Sequence, residues 1–159
     1  MNNMEAIIAL VLNAWKIQAS AITEYFSKHP DGFYQQPVAP GRNRAIHLLG
    51  HLIANVDGLN PLLGFGEKLF PQLDAYLSPN TSWERNDFPA LPELKRQWEQ
   101  VTRQLEREYS SLSPEEWLSR HTKVSEADFA IDPKRNKLNV LIGRINHMSY
   151  HLGQLNLLK

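Results

Sequence analysis

The chain has 159 residues, enough for one domain over residues 1–159 that buries about two thirds of the surface an unfolded chain exposes. It contains no cysteine, which excludes disulfides, iron–sulfur clusters, thiolate zinc sites and a cysteine nucleophile, so any metal must bind nitrogen and oxygen ligands. Seventeen basic residues balance seventeen acidic ones without forming a basic stripe, so nucleic-acid binding is not expected.

The N-terminal segment predicts a long helix over residues 3–28. Apolar side chains recur at helical spacing, and no glycine or proline occurs before Pro30. The apolar run AIIALVL follows Glu5 instead of basic residues and is shorter than the roughly 18 residues of a membrane span. We expect a core-facing helix of a cytoplasmic protein without membrane contact, with its apolar stripe at Ile7, Leu10, Val11, Ala14, Ile17, Ala21 and Tyr25.

A second helix is predicted over residues 44–59. The side chain of Asn43 can accept a backbone N–H as its cap, and the segment NPLLGFGEKLFP breaks it. Residues 61–90 show no sustained period, so they predict a long connection with one short helix near residues 67–76. A crossover of this length allows the flanking helices to lie parallel.

The third long helix is predicted to start at Pro92, a residue suited to the first helical position, and to continue to residue 112. Ser113 and Glu116 then have the spacing of a capping box, which predicts a short helix ending near Arg120. A polar loop is expected over residues 121–135. The apolar positions of the third helix are Leu94, Trp98, Val101, Leu105 and Tyr109.

The last helix is predicted over residues 136–158. Nothing in the chain alternates with the period of a strand, so the fold class is all-α. Four amphipathic helices with one long connection predict a four-helix bundle, whose core is a usual place for metal or ligand sites. The main stripe of the last helix is Leu138, Leu141, Ile142, Ile145, Met148, Leu152 and Leu155.

Two pairs of histidines have the same spacing on different predicted helices. His147 and His151 are four residues apart, so their rings point about 40° apart and can chelate one metal ion. His47 and His51 form the second pair. An open catalytic centre usually has three protein ligands, and either His47 or His51 can supply the third. The alternative is that these histidines are hydrogen-bonded packing residues, the commoner role of a histidine beside an apolar stripe.

The sequence lacks the residues that several other kinds of catalytic or binding site require. No glutamate is followed by histidine three positions on, which argues against a di-iron carboxylate bundle. The residues after the paired histidines are apolar, so the HExxH protease helix is absent. There is no P-loop, GxGxxG or GxSxG motif, and a serine hydrolase therefore has no support.

The stretches GRNRAIHLLGHLIANVDGL and NHMSYHLGQLNLL, about a hundred residues apart, resemble the DinB/YfiT-like superfamily of metal-dependent proteins. The resemblance covers the whole chain in helix order and spacing. It implies a bundle of up-down-down-up topology, commonly a homodimer. It also implies a divalent-metal site with one histidine from the second helix and two from the last.

Carried over to this sequence, the resemblance assigns the metal ligands as His51, His147 and His151. His47 lies one turn before the family ligand and is not part of the pattern. Three roles are open to it: a fourth ligand, a residue that hydrogen-bonds to a ligand, or a base lining the pocket. A closed shell of four nitrogens would leave no position for catalysis. Many relatives read HRGQ where this chain has Leu152 before Gly153 and Gln154, a change that touches no ligand.

The resemblance also implies a reaction class. Three neutral imidazoles leave the ion its full charge, so it can acidify a bound water or bind a thiolate, and imidazole suits zinc, nickel, copper and iron. Relatives include S-transferases that use a low-molecular-weight thiol. We expect thiol-dependent transfer or related detoxification of a small-molecule substrate. The alternative is a non-catalytic metal-binding, ligand-binding or protein-interaction bundle.

Two further residues are candidates for substrate binding or for supporting the ligands. Arg144 lies one turn before His147 and can meet an anionic group. Gln154 lies close to His151 on the same helix and can orient a ligand ring. Asn55, Asp57 and Tyr150 are near the ligands in helical spacing, and the sequence does not rank them.

Overall fold

The computed structural model describes residues 3–77 and 89–159, and the regular structure in these ranges is helical, as the sequence predicts. Within them no β-strand forms, and two isolated β-bridges connect loop residues. Two 3-10 helices span Asp31–Gln35 and Pro71–Tyr76. The α-helices in chain order are α1 (Asn3–Tyr25), α2 (Ala45–Asp57), α3 (Leu59–Leu63), α4 (Leu91–Tyr109), α5 (Pro114–Leu118), α6 (Glu126–Ile131) and α7 (Lys137–Leu155).

The start of α2 differs from the prediction. Its N-cap is Arg44, which makes no side-chain capping hydrogen bond, so the predicted cap by Asn43 is wrong. Other hydrogen bonds hold the backbone at the start of α2. The carbonyl of Asn43 accepts from the N–H of Val38, and the N–H of Ala45 donates to the carbonyl of Gln36.

The connection after α2 is more ordered than its sequence indicates. Residues predicted to break the second helix form α3, which ends at Gly64 with a φ of 86°. That left-handed conformation favours glycine because it has no Cβ. The predicted short helix appears as the 3-10 helix Pro71–Tyr76. Residues 78–88 of the predicted connection lie outside the described residues.

Two short helices precede α7. The predicted capping box is confirmed: the hydroxyl of Ser113 accepts from the N–H of Glu116, whose carboxylate accepts from the N–H of Ser113. The prediction of a loop over residues 121–135 is wrong in part, because this segment contains α6. Its cap is Ser125, which accepts from the N–H of Asp128, and this cap is the signal in the sequence that marks the helix.

The long helices pack through a shared core. The α1 helix contacts α7 and α4, and α2 contacts α4, α7 and the 3-10 helix Pro71–Tyr76. The contact between α2 and α7 brings the two histidine-bearing segments together. The predicted stripe of the third helix is confirmed, since its members are all buried: Leu94, Trp98, Val101, Leu105 and Tyr109.

The predicted stripe of the first helix is wrong in part: Tyr25 is buried as predicted and Val11, Ala14 and Ala21 are half-buried, but three members are exposed. Leu10 and Ile17 are 69% and 56% exposed, and Ile7 is also exposed. The buried face of α1 is rotated from the predicted face and includes the large side chain of Trp15. Both faces of this helix are apolar, so periodicity alone cannot choose between them. The buried face consists of Ile8, Trp15, Ala19, Ile22, Tyr25 and the adjoining Phe26.

By length and composition alone, α1 is a helix that could cross a membrane. The core helix of a soluble protein and an N-terminal signal sequence pass the same test. The expectation that the protein has no membrane contact therefore stays a prediction.

In α7 the buried face differs slightly from the predicted stripe. Ile142 is exposed, whereas His151 is buried beside Met148 and Leu155. The face that packs against α2 therefore contains an imidazole, which places a polar ring at the helix contact.

Candidate metal centre

Three histidines from two helices converge on one point. The α2 helix supplies His51, and α7 supplies His147 and His151 from successive turns. The Nε2 atom of His147 lies 3.2 Å from that of His51 and 3.0 Å from that of His151. One nitrogen from each ring falls within 4.8 Å of the others, and in the described residues these three form the group suited to a metal ion.

The outer nitrogens of two rings are held by oxygen atoms. The Nδ1 of His51 lies 2.9 Å from the carbonyl oxygen of Tyr76, and because a carbonyl only accepts, this nitrogen carries the proton. The Nδ1 of His151 donates in the same way to Oε1 of Gln154 over 2.7 Å, while the Gln154 amide donates to the hydroxyl of Tyr150. Both rings therefore turn an unprotonated Nε2 toward the centre.

This donor set fits a divalent transition metal. The Nε2 atoms of His51 and His151 lie 3.0–3.2 Å from Nε2 of His147, close enough for one ion to bind all three rings, and the Nδ1 of His147 is buried without a partner among the described residues. A tetrahedral ion with metal–nitrogen bonds of about 2.0–2.1 Å separates its ligands by about 3.3 Å, close to these distances. Ligand histidines usually donate their other N–H to an oxygen, as His51 and His151 do here.

The three imidazoles are neutral at physiological pH. Burial lowers the pKa of His147 to about 3, with further lowering from His151, His51 and Arg144. Burial also lowers the pKa of His51 and His151, against the hydrogen bonds that Tyr76 and Gln154 make to them. Protons therefore do not compete with a metal ion near pH 7.

A polar network extends from the cluster through Asn55. Its Nδ2 lies 3.0 Å from Nε2 of His51 and also donates to the His51 carbonyl. Its Oδ1 accepts from Nη1 of Arg144 at 2.6 Å. Arg144, a candidate from the sequence, is thus placed beside the cluster, and Asn55 is the residue between them.

His47 is not part of the cluster. Its ring is buried, and its Nε2 lies 3.3 Å from Nη2 of Arg44. The structure therefore brings His51, His147 and His151 together and leaves His47 on a neighbouring turn with a different partner.

Two features of the site were not assigned from the sequence. The first is the Tyr76 carbonyl, a backbone atom supplied by a 3-10 helix. The second is the anchor of that segment: the buried carboxylate of Asp57 accepts from the N–H groups of Leu69 and Phe70 and from Nδ2 of Asn60. The position of Asp57 at the end of α2, just before a polar connection, is the signal that could have marked it as a cap for the following chain.

Comparison with known proteins places the chain in a family. A search of curated proteins found no match for it. A sequence model of the DinB superfamily, however, matches residues 14–155, a span that includes α2, α7 and all three clustered histidines. On this match, the chain belongs to the DinB superfamily.

Proposed function

We propose that the protein is a metal-dependent enzyme that transfers a low-molecular-weight thiol to a small electrophile. One observation carries the proposal: three neutral imidazoles place their Nε2 atoms around a single point. Membership of the DinB superfamily supports it. The absence of cysteine is compatible with a thiol supplied from outside the chain.

The residues proposed to hold the ion are His51, His147 and His151. Neutral ligands leave a divalent ion its full charge, and when bound it supplies an electrophilic centre that acidifies a thiol. The chain's own residues orient the rings, through the Tyr76 carbonyl and the Gln154 amide. The proposed ion is zinc, nickel or iron, and imidazole ligation does not distinguish these ions from one another or from copper.

The proposed transfer forms a bond between the thiol sulfur and an electrophilic carbon. The leaving group departs with the electron pair of the broken bond, and the thiol proton passes to solvent. The experiment is to follow loss of free thiol in a panel of small thiols with monochlorobimane, using untagged metal-loaded protein and His51→Ala. Turnover by the wild type alone supports the proposal, whereas metal-loaded protein inert across the panel favours a binding module.

We also propose that α1, α2, α4 and α7 form an up-down-down-up bundle and that the protein is a homodimer. The mutual packing of the four long helices supports the first proposal. The exposed apolar residues Ile7, Leu10 and Ile17 of α1 support the second, because a partner copy would remove them from water.

A further inference from the structure

Arg144 has an incomplete set of hydrogen-bond partners. Nη1 of its guanidinium donates to Asn55. Among the described residues its buried Nε has no hydrogen-bond partner, and no ion pair found there involves Arg144. A cation removed from water without a counter-charge is unfavourable, so an anion at this position would stabilise it.

The bonding pattern leaves one edge of the guanidinium available. Asn55 occupies Nη1, so the edge formed by Nε and Nη2 makes no hydrogen bond within the described parts of the chain. Two parallel N–H groups on one edge match the two oxygens of a carboxylate. The geometry therefore favours a planar anion bound through two hydrogen bonds.

The hydroxyl of Tyr109 is a second donor without a hydrogen-bond partner in the part of the chain that the structure describes, and it interacts electrostatically with the Arg144 guanidinium. Tyr109 is only 3% exposed, and its hydroxyl is buried without a partner in the described residues. Burial raises the pKa of this hydroxyl, while the Arg144 guanidinium opposes that rise and Glu106 adds to it. The ring is fixed by edge-on contact with Trp15 and by Trp117, at centroid distances of 5.3 and 5.4 Å. The hydroxyl is thus a rigidly held donor that interacts electrostatically with the Arg144 guanidinium.

The Arg144 guanidinium lies next to the histidine cluster. Asn55 contacts Nε2 of His51 through its amide nitrogen and Arg144 through its amide oxygen. A molecule with one group at the cluster and a carboxylate a few bonds away would reach both.

We propose that the free edge of Arg144 and the hydroxyl of Tyr109 form a carboxylate-binding subsite beside the three-histidine centre. The ligand of the centre is then a small molecule that carries a carboxylate near its metal-binding group. This inference rests on the proposed metal centre and names the class of molecule that the centre takes.

The test compares two thiols of similar size on the untagged, cobalt-loaded full chain at constant ionic strength. Mercaptoacetate has a carboxylate, and 2-mercaptoethanol has a neutral hydroxyl. Thiolate binding is followed by near-ultraviolet charge-transfer absorption. We expect mercaptoacetate to bind about tenfold or more tightly, because charged hydrogen bonds are the strong ones. Equal affinities in the wild type would overturn the subsite.

Variants separate a binding role from a structural one. Arg144→Gln should abolish the preference for mercaptoacetate and leave 2-mercaptoethanol binding unchanged. Tyr109→Phe should reduce the preference, and no effect would remove Tyr109 from the subsite. Arg107→Gln is the matched control, because it removes the same charge from an exposed position. Equal weakening of both thiols by Arg144→Gln would mean that Arg144 only supports the fold.

A metal-free arm distinguishes failure of the subsite from failure of the metal centre. Acetate, but not acetamide, should shift the Nε–H nitrogen-15 resonance of Arg144, identified by its loss in Arg144→Gln. Protein that binds no cobalt but shows this shift would refute the proposed function and keep the subsite. Phosphate acting as strongly as acetate would overturn the assignment to a carboxylate.

Discussion

The Nδ1 atom of His51 lies 2.9 Å from the carbonyl oxygen of Tyr76, a residue 25 positions further along the chain. Because this contact fixes the proton on Nδ1, it leaves Nε2 free to face the two histidines of α7. The orientation of a ring on α2 therefore depends on where the 3-10 helix Pro71–Tyr76 is held.

Metal binding should depend on the clustered histidines and on no others. We expect untagged wild-type protein to retain a divalent transition metal after dialysis, and His51→Ala and His147→Ala each to lose it. Each substitution should lower the metal affinity by more than about 100-fold, the largest loss usually seen when a residue outside the ligands is changed. His29→Ala is the control, since His29 is exposed and outside the cluster. Elemental analysis showing the same metal content in all four proteins would contradict the site.

Gln154→Leu should weaken metal binding by about 10–100-fold without abolishing it. The substitution removes the acceptor that orients the His151 ring but leaves all three ligands in place. Competition with a chelator measures the affinity. Gln100→Leu, at an exposed position of α4, should bind as the wild type does. An unchanged affinity in Gln154→Leu would show that His151 is oriented by something else.

The metal-free protein should lose stability as pH falls from 6.5 toward 3. The pKa of His147 is about 3 in the folded chain and 6.5 when unperturbed. Between these values the unfolded chain binds a proton that the folded chain does not, so stability rises with pH through this window and is fully present above it. Urea unfolding from pH 3.5 to 7 should show a shallower pH dependence for His147→Asn than for the wild type. Equal slopes would refute this contribution.

Asp57→Ala should destabilise the fold by about 3 kcal/mol and also weaken metal binding. The buried carboxylate accepts from Leu69 and Phe70, and without it both N–H groups lose their acceptor. The 3-10 helix that carries the Tyr76 carbonyl then loses its anchor. Asp74→Ala, which breaks an exposed ion pair with Lys68, should cost under about 1 kcal/mol. Denaturant titration and metal affinity check the two effects, and a stable variant with full affinity would contradict the coupling.

The oligomeric state should depend on the exposed face of α1. We expect wild-type protein to be a dimer by light scattering, and Leu10→Glu with Ile17→Glu to be a folded monomer. Both side chains are already exposed, so the charges disturb no core contact. Lys16→Glu, at an exposed position about 120° around the same helix from Leu10, should remain a dimer. A monomeric wild type would refute the proposal.

The sequence predicts the helices better than it predicts their faces. The α4 helix has polar residues around a single apolar stripe, and that stripe is the buried one. In α1 both faces are apolar, and the choice follows from which side offers Trp15 and Ile22 to the core. The α6 helix was missed because a short helix has little periodicity and only its Ser125 cap marks it.

The candidate site shows the same division. Local helix geometry determines that His147 and His151 share a face, since only four residues separate them. His51 is 96 positions from His147, so spacing alone gives no reason for it to join them instead of His47. The choice follows from how α2 is rotated against α7, and that rotation is set by the packing of the whole core. The positions of the Tyr76 carbonyl and of the unpaired edge of Arg144 also depend on how distant segments pack.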